Sequence, residues 1–245
     1  MARPCQPPTF NPLQPVMIVI PAGPFIMGTD PQEVRQLSRT ARGSRLEWYA
    51  REQPAHTLYL PDYQIGRYPV TVAEFAVFME ADGYQRADYW SEAGWQWRTR
   101  NRVTAPEYWD DERWTGDRAF PVVGVSWYTA QAYCQWLRHE TGLSYRLPSE
   151  AEWEKAARGP ESNRYPWGNR WEPGFCNVAS ATVDSWDEPG PTTQDQLMPV
   201  GRFSPQGDSP YGCADMAGNV WEWCQSPLCR YPLSLDAPTS VDRNR

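Results

Sequence analysis

The apolar positions of this chain fall in short bursts rather than long periods. Residues 16–20 form the first burst and predict a strand. The Pro21-Ala22-Gly23-Pro24 corner follows, then a second short strand at 25–28, so this region reads as a hairpin-like turn of chain. Residues 1–15 are Pro-rich and polar and predict a loose arm. Residues 30–53 are charged and polar and predict a surface excursion. Alternation over 56–60 and again over 63–68 predicts two more strands. Three helices carry clear punctuation. Thr71 and Glu74 form a capping box ahead of Phe75, Phe78 and Met79, with Gly83 as a left-handed stop. Ser126 opens the second, where Ala130, Tyr133, Cys134 and Leu137 share a face and Gly142 closes. Ser149 and Glu152 box the third, with Trp153, Ala156 and Ala157 inward and Gly159 at its end. Residues 84–119 are an aromatic-rich insertion, and 160–212 show no strong periodicity. An irregular stretch that long needs anchors in a compact domain. The predicted fold class is therefore α+β, with few short strands, two to three helices and extensive ordered loops.

Composition sharpens this picture. The 245 residues include 14 Trp, 13 Tyr and 7 Phe, together with 25 Pro and 17 Gly. Large rings anchor irregular loops well, because each buries much area with few torsions to fix. The net charge is −7 and Lys155 is the only lysine. Without a basic stripe, nucleic acid is excluded as a partner. The longest apolar run is too short to span a bilayer. No secretory signal is visible at the N-terminus, so the expected location is cytoplasmic. The six cysteines, Cys5, Cys134, Cys176, Cys213, Cys224 and Cys229, are sparse and read as free, partly buried thiols. Two distant histidines, His56 and His139, exclude a histidine-rich metal site, and a zinc site of cysteines alone is not expected.

Six strings now stand out in order. They are Ile20-Pro21-Ala22-Gly23-Pro24-Phe25-Ile26-Met27-Gly28; Gln64-Ile65-Gly66-Arg67-Tyr68-Pro69-Val70-Thr71; Pro121-Val122-Val123-Gly124-Val125-Ser126-Trp127; Arg146-Leu147-Pro148-Ser149-Glu150-Ala151-Glu152-Trp153-Glu154; Tyr165-Pro166-Trp167-Gly168-Asn169; and Gly218-Asn219-Val220-Trp221-Glu222-Trp223. Together they resemble the formylglycine-generating-enzyme (sulfatase-modifying-factor) family. The resemblance implies a C-type-lectin-like fold, shared by retroelement-diversified variable proteins. In catalytic members a cysteine pair binds copper and activates oxygen, turning a substrate cysteine into formylglycine. That pair follows a Gly-Gly-Ser strand downstream of Gly-Asn-x-Trp-Glu-Trp, and no Gly-Gly-Ser occurs here. The expectation is one domain over 16–245 that lacks its C-terminal core strands.

The resemblance also suggests site residues. Cys224 and Cys229 imitate the spacing of the catalytic pair, and thiolates suit copper, but they directly follow Trp221-Glu222-Trp223, in the wrong register. The competing reading is structural thiols or a local disulfide. Asp215, Gly218, Val220 and Glu222 match the family's calcium loop, two carboxylates and two carbonyls for a hard cation. The plainer reading has both carboxylates bonding loop amides. Asn177 and the Val178 carbonyl resemble part of a second calcium site, completed by Asp187 or Asp195. The iron-binding histidine cluster of related sulfoxide synthases lacks its histidines here. The rings of 84–119 form either a binding surface for a protein or small ligand, or a satellite core. The expected function is a non-catalytic ligand- or protein-binding scaffold. The alternative is a copper-dependent formylglycine-generating oxidoreductase whose C-terminal part is missing.

Overall fold

Two prolines interrupt one antiparallel ribbon. In the computed structural model, which describes residues 11, 13–40, 50–178 and 196–232, strand β1 (Met17–Ile20) pairs with β4 (Tyr63–Gly66). Strand β2 (Gly23–Met27) pairs with β3 (His56–Leu60). The register is unbroken from Met17↔Gly66 to Met27↔His56, which sets Pro21 opposite Asp62 and Ala22 opposite Pro61. Proline has no N–H to give, so the ladder opens there. The expected hairpin between the first two strands is therefore corrected. They run on as one arm, and the chain reverses only through residues 28–55.

That reversal holds a helix, where the sequence reading expected a surface excursion. Helix α1 (Pro31–Thr40) starts with proline in its first position and Asp30 before it. The Asp30 carboxylate accepts from the Gln32 amide at 2.6 Å.

Helix α2 (Val72–Glu80) has the expected capping box. Thr71 N donates to Glu74 Oε2 at 2.8 Å, and Glu74 N donates to Thr71 Oγ1 at 3.2 Å. Its stop differs from expectation. Asp82 takes the left-handed conformation, with φ 56°. Gly83 is required for a different reason, because a Cβ there would lie 2.3 Å from the Phe78 ring.

The 84–119 segment folds inward. Tyr84, Tyr89 and Trp90 are buried with Phe75 and Phe78 of α2 and with Tyr133 and Trp136 of the next long helix. The Trp90 indole donates to Gly83 O at 2.8 Å. Helices α3 (Glu92–Asn101) and α4 (Glu112–Thr115) follow, capped by Ser91 and Asp111. Tyr84, Tyr89 and Trp90 are therefore core, with Trp95 and Trp109 packed against them, while Tyr108 of the same segment is 41% exposed. Alternating Trp and Arg hid α3, within which only Gly94 is buried.

Helix α5 (Trp127–Thr141) runs from Ser126 to a left-handed Gly142, as expected. Its buried face is Thr129, Ala132, Tyr133, Trp136 and Leu137, turned slightly from the anticipated stripe. Helix α6 (Glu150–Arg158) has the expected box of Ser149 and Glu152. It buries Ala151, Ala156 and Ala157, and with them Lys155.

Lys155 is 2% exposed. Its Nζ donates to Pro21 O at 2.8 Å and to Gly23 O at 3.0 Å, where the ribbon breaks. Burial lowers its pKa. At the far end of β2, Gly28 N donates to Glu154 Oε1 at 2.7 Å, while Arg158 Nη1 donates to Gly28 O at 2.7 Å. Gly28 has φ 85°, and a Cβ would lie 2.6 Å from Glu52 O. Tyr63 of β4 adds a 2.6 Å bond to Glu152 O. Helix α6 thus grips the ribbon at several points.

Lys155→Met would keep the apolar stem and orphan two carbonyls. We expect a loss of about 2–4 kcal/mol, read as a lower urea midpoint at unchanged slope. A midpoint equal to wild type would mean that other donors satisfy Pro21 and Gly23.

Candidate functional site

Two residues anticipated at different cation sites, Asn177 and Gly218, meet. Asn177 pairs with Gly218 as an isolated parallel bridge, and Asn219 N donates to Asn177 O at 2.8 Å. A Cβ on Gly218 would come 2.2 Å from that carbonyl, and its φ is 77°. Only glycine admits both the approach and the conformation. The Asn177 side chain donates to Gln196 O at 3.0 Å and to Asn219 Oδ1 at 3.1 Å.

Asn219 was not singled out from sequence, yet it is the hub. It sits at φ 64°. Its Nδ2 donates to Met198 O, and its Oδ1 accepts from Met198 N, each at 3.0 Å. The Gly218-Asn219 pair was the available signal, because both residues tolerate left-handed backbone.

Asp215 is buried, and its carboxylate accepts from Gly201 N at 2.6 Å. This is the plainer role, a loop-amide acceptor, and Asp215 fills it. Burial raises its pKa despite that bond. Glu222 is exposed as a residue, yet its carboxyl group, turned towards Trp153 and Asp215, is desolvated enough for its pKa to rise to about 7. The indole N–H of Trp153 is buried without a bond of good geometry, and it faces that carboxyl.

Among the described residues neither Asp215 nor Glu222 makes a salt bridge. No group of three or more His, Cys, Asp or Glu side chains is placed to share a metal there. A cation at this loop would rest on two carboxylates plus the Gly218 and Val220 carbonyls. That oxygen-only set fits Ca²⁺ and does not fit a soft metal. The carboxylates expected to complete the second site, Asp187 and Asp195, lie outside the described residues.

The cysteine pair is placed differently. Cys224 and Cys229 are free, as are Cys134, Cys176 and Cys213, so no local disulfide joins the pair. Burial pushes the Cys224 thiol up to about 12, with Glu150, Glu222 and Glu152 adding to the rise. In this environment Cys224 holds its proton and stands as a buried thiol rather than a thiolate. His56 Nδ1 donates to Pro54 O at 3.0 Å, and the ring packs edge-on against Tyr231. His139 lies beside Tyr89, away from His56's neighbours.

The segment from 221 to 226 is stitched to two helix N-termini. The Trp127 indole donates to Cys224 O at 2.9 Å, and Gln225 N donates to Pro148 O at 2.7 Å. Glu150 N donates to Ser226 Oγ at 3.1 Å. Trp223 donates to Val125 O at 3.0 Å and stays 48% exposed. Trp221 is fully exposed.

The profile of the Sulfatase-modifying factor enzyme 1-like domain matches residues 6–241. Hercynine oxygenase of Mycobacterium tuberculosis is 38% identical over 196 residues, 74% of this chain and 41% of that protein. A formylglycine-generating enzyme of Thermomonospora curvata is 35% identical, over 85% of this chain and 70% of its own. The inactive C-alpha-formylglycine-generating enzyme 2 of mouse is 33% identical, over 86% and 69%. Among solved structures, PvdO from Pseudomonas aeruginosa superposes with TM-score 0.59 and 25% identity, over 91% of this chain and 76% of that one. The chain spans less than half the length of the hercynine oxygenases it matches. No described helix is long and apolar enough to cross a membrane.

The raised pKa of Glu222 fixes the sign of a pH test. Its folded pKa of about 7 lies above the ordinary 4.5. Its contribution to stability is therefore present below 4.5 and lost as pH rises through about 7. Ca²⁺ competes with that proton, so 1 mM Ca²⁺ against EDTA should raise Tm by about 5 °C or more at pH 8 and by much less at pH 5.5. Glu222→Gln should flatten both effects. Equal Tm with and without chelator at pH 8 would leave the loop without a cation.

Proposed function

This chain belongs to the sulfatase-modifying factor enzyme 1-like domain family, and from that premise we propose that it is a non-catalytic binding module, stiffened by Ca²⁺, that holds a protein or small ligand. The observation that carries this reading is Trp221, wholly in solvent beside a half-exposed Trp223 that is pinned to Val125. Rigid aromatic groups on a fixed backbone are what interface hot spots are made of. Leu228 is also 76% exposed on the same stretch of chain. The calcium loop lies just upstream, so a cation at Asp215 and Glu222 would brace the segment that presents both rings.

Thiol chemistry has less support. The family's oxidase activity asks for two thiolates on copper, and the Cys224 proton is held to about 12. The oxygenase relatives are matched over less than half their length, so their activity need not reside in the shared part. The alternative, a copper-dependent formylglycine-generating oxidoreductase, is favoured by the Thermomonospora relative's 35% identity over 85% of this chain.

Two measurements separate these readings. With copper and a Cys-x-Pro-x-Arg peptide, oxygen uptake should equal that of the Cys224→Ser, Cys229→Ser double variant. Uptake lost in the double variant would establish the oxidase instead. A peptide selected from a random displayed library against wild type should bind Trp221→Ser at least about tenfold more weakly, with Tm unchanged within about 1 °C. Selected peptides indifferent to Trp221 would move the binding face elsewhere.

A further inference from the structure

A cleft of about 420 Å³ is lined by Gly174, Phe175, Arg202, Phe203 and Gln206. That volume falls within the range of small-molecule sites. Its two walls are locked together at the backbone. A Cβ on Gly207 would lie 2.1 Å from Phe175 O, so the turn carrying Phe203 touches the loop carrying Phe175. Gly207 N donates to Phe203 O at 2.8 Å, and Asp208 is held by the Ser204 hydroxyl and by Arg67 at 3.3 Å.

The Phe175 ring is buttressed from behind. It stands edge-on to Trp167 at 5.8 Å, and Trp167 stacks on Tyr165 at 5.4 Å with 7° between planes. The Trp167 indole is oriented by Arg170 O at 3.0 Å. Phe175 and Phe203 remain partly exposed, and both line the cleft.

Arg202 supplies the charge. It is exposed, and among the described residues no carboxylate lies within salt-bridge distance of it. In a chain of net charge −7, a guanidinium lining a cleft beside two phenylalanines is a selective feature. A guanidinium takes a carboxylate through two parallel N–H bonds. The Gln206 amide can both give and accept a hydrogen bond.

We propose that this cleft binds a small aromatic carboxylate. The ligand's ring lies against Phe175 and Phe203, and its carboxylate accepts from Arg202 and from the Gln206 amide. This inference does not rest on the binding face assigned to Trp221 and Trp223.

Calorimetry on the full chain tests it with N-acetyl-L-phenylalanine and its uncharged amide as probes. The acid should saturate with a millimolar Kd, and the amide should bind at least about fivefold more weakly. Arg202→Gln should weaken the acid by a similar factor and leave the amide unchanged. Phe203→Leu, which keeps the turn filled, should weaken both probes. Arg170→Gln, outside the cleft, should change neither. Equal affinity for acid and amide, no effect of Arg202→Gln, or no heat from the acid at about 20 mM would each overturn the assignment.

Discussion

Everything else in this molecule leans on the grip of helix α6 on a broken ribbon. A two-stranded ribbon is marginal in water by itself. This one is weaker still, because Pro21 and Pro61 remove donors at its middle. The repair is a lysine ammonium delivered from the helix to the Pro21 and Gly23 carbonyls. Burying a cation is costly unless its protons are used, and here two carbonyls use them. Glu154 and Arg158 then bind the amide and carbonyl of Gly28, one at each side of the same peptide corner. From this helix the constraint passes on. Pro148 O and the Glu150 amide at its N-terminus fix Gln225 and Ser226, and that fixes the direction in which Trp221 and Trp223 leave the surface.

The second support is aromatic. Tyr84 enters the core from a turn, Tyr89 and Trp90 from the end of a single 3-10 turn (Ala87–Tyr89), and they meet Phe78 and Trp136 there. The Tyr89 hydroxyl and the Trp136 indole N–H are buried without partners among the described residues. Each such group costs about 1–3 kcal/mol. A large ring buries about 150–250 Å², which at about 25 cal/mol per Å² offsets that with several kcal/mol. Ring area wins, and a segment with little periodicity becomes core.

Legibility followed the range of the interaction. Local chemistry was readable: the boxes at Thr71 and Ser149 and the left-handed Gly142 need only residues within a turn of each other. Pairing was not. A stretch of Pro21 to Pro24 reads as a turn, and only the distant partners of β1 and β2 reveal it as a break in a straight arm. Asp30-Pro31 was a helix start hidden by polar composition. The meeting of Asn177 with Gly218 and Asn219 could be suspected from family spacing, but the hub role of Asn219 needs the fold. The cleft at Phe175 and Phe203 left no periodic trace, since its walls come from two irregular loops.

The electrostatics around α6 decide which chemistry this face can host. Tyr231 Oη lies 3.0 Å from Glu150 Oε1 and 3.1 Å from Glu154 Oε2, so one phenolic proton serves two carboxylates. Burial raises the pKa of Glu150, with Glu154 and Glu52 adding to the rise. Burial raises the Cys224 thiol most, and the same negative field adds to the rise from Glu150, Glu222 and Glu152. A thiol in that field keeps its proton, because removing it would add a further anion to a group of anions. A hard cation would meet the opposite sign at the carboxylates of the 215–222 loop. One charge distribution therefore acts in opposite senses on a thiol at Cys224 and on a positive charge beside the same carboxylates, and the backbone that carries them is the one that presents the two exposed tryptophans.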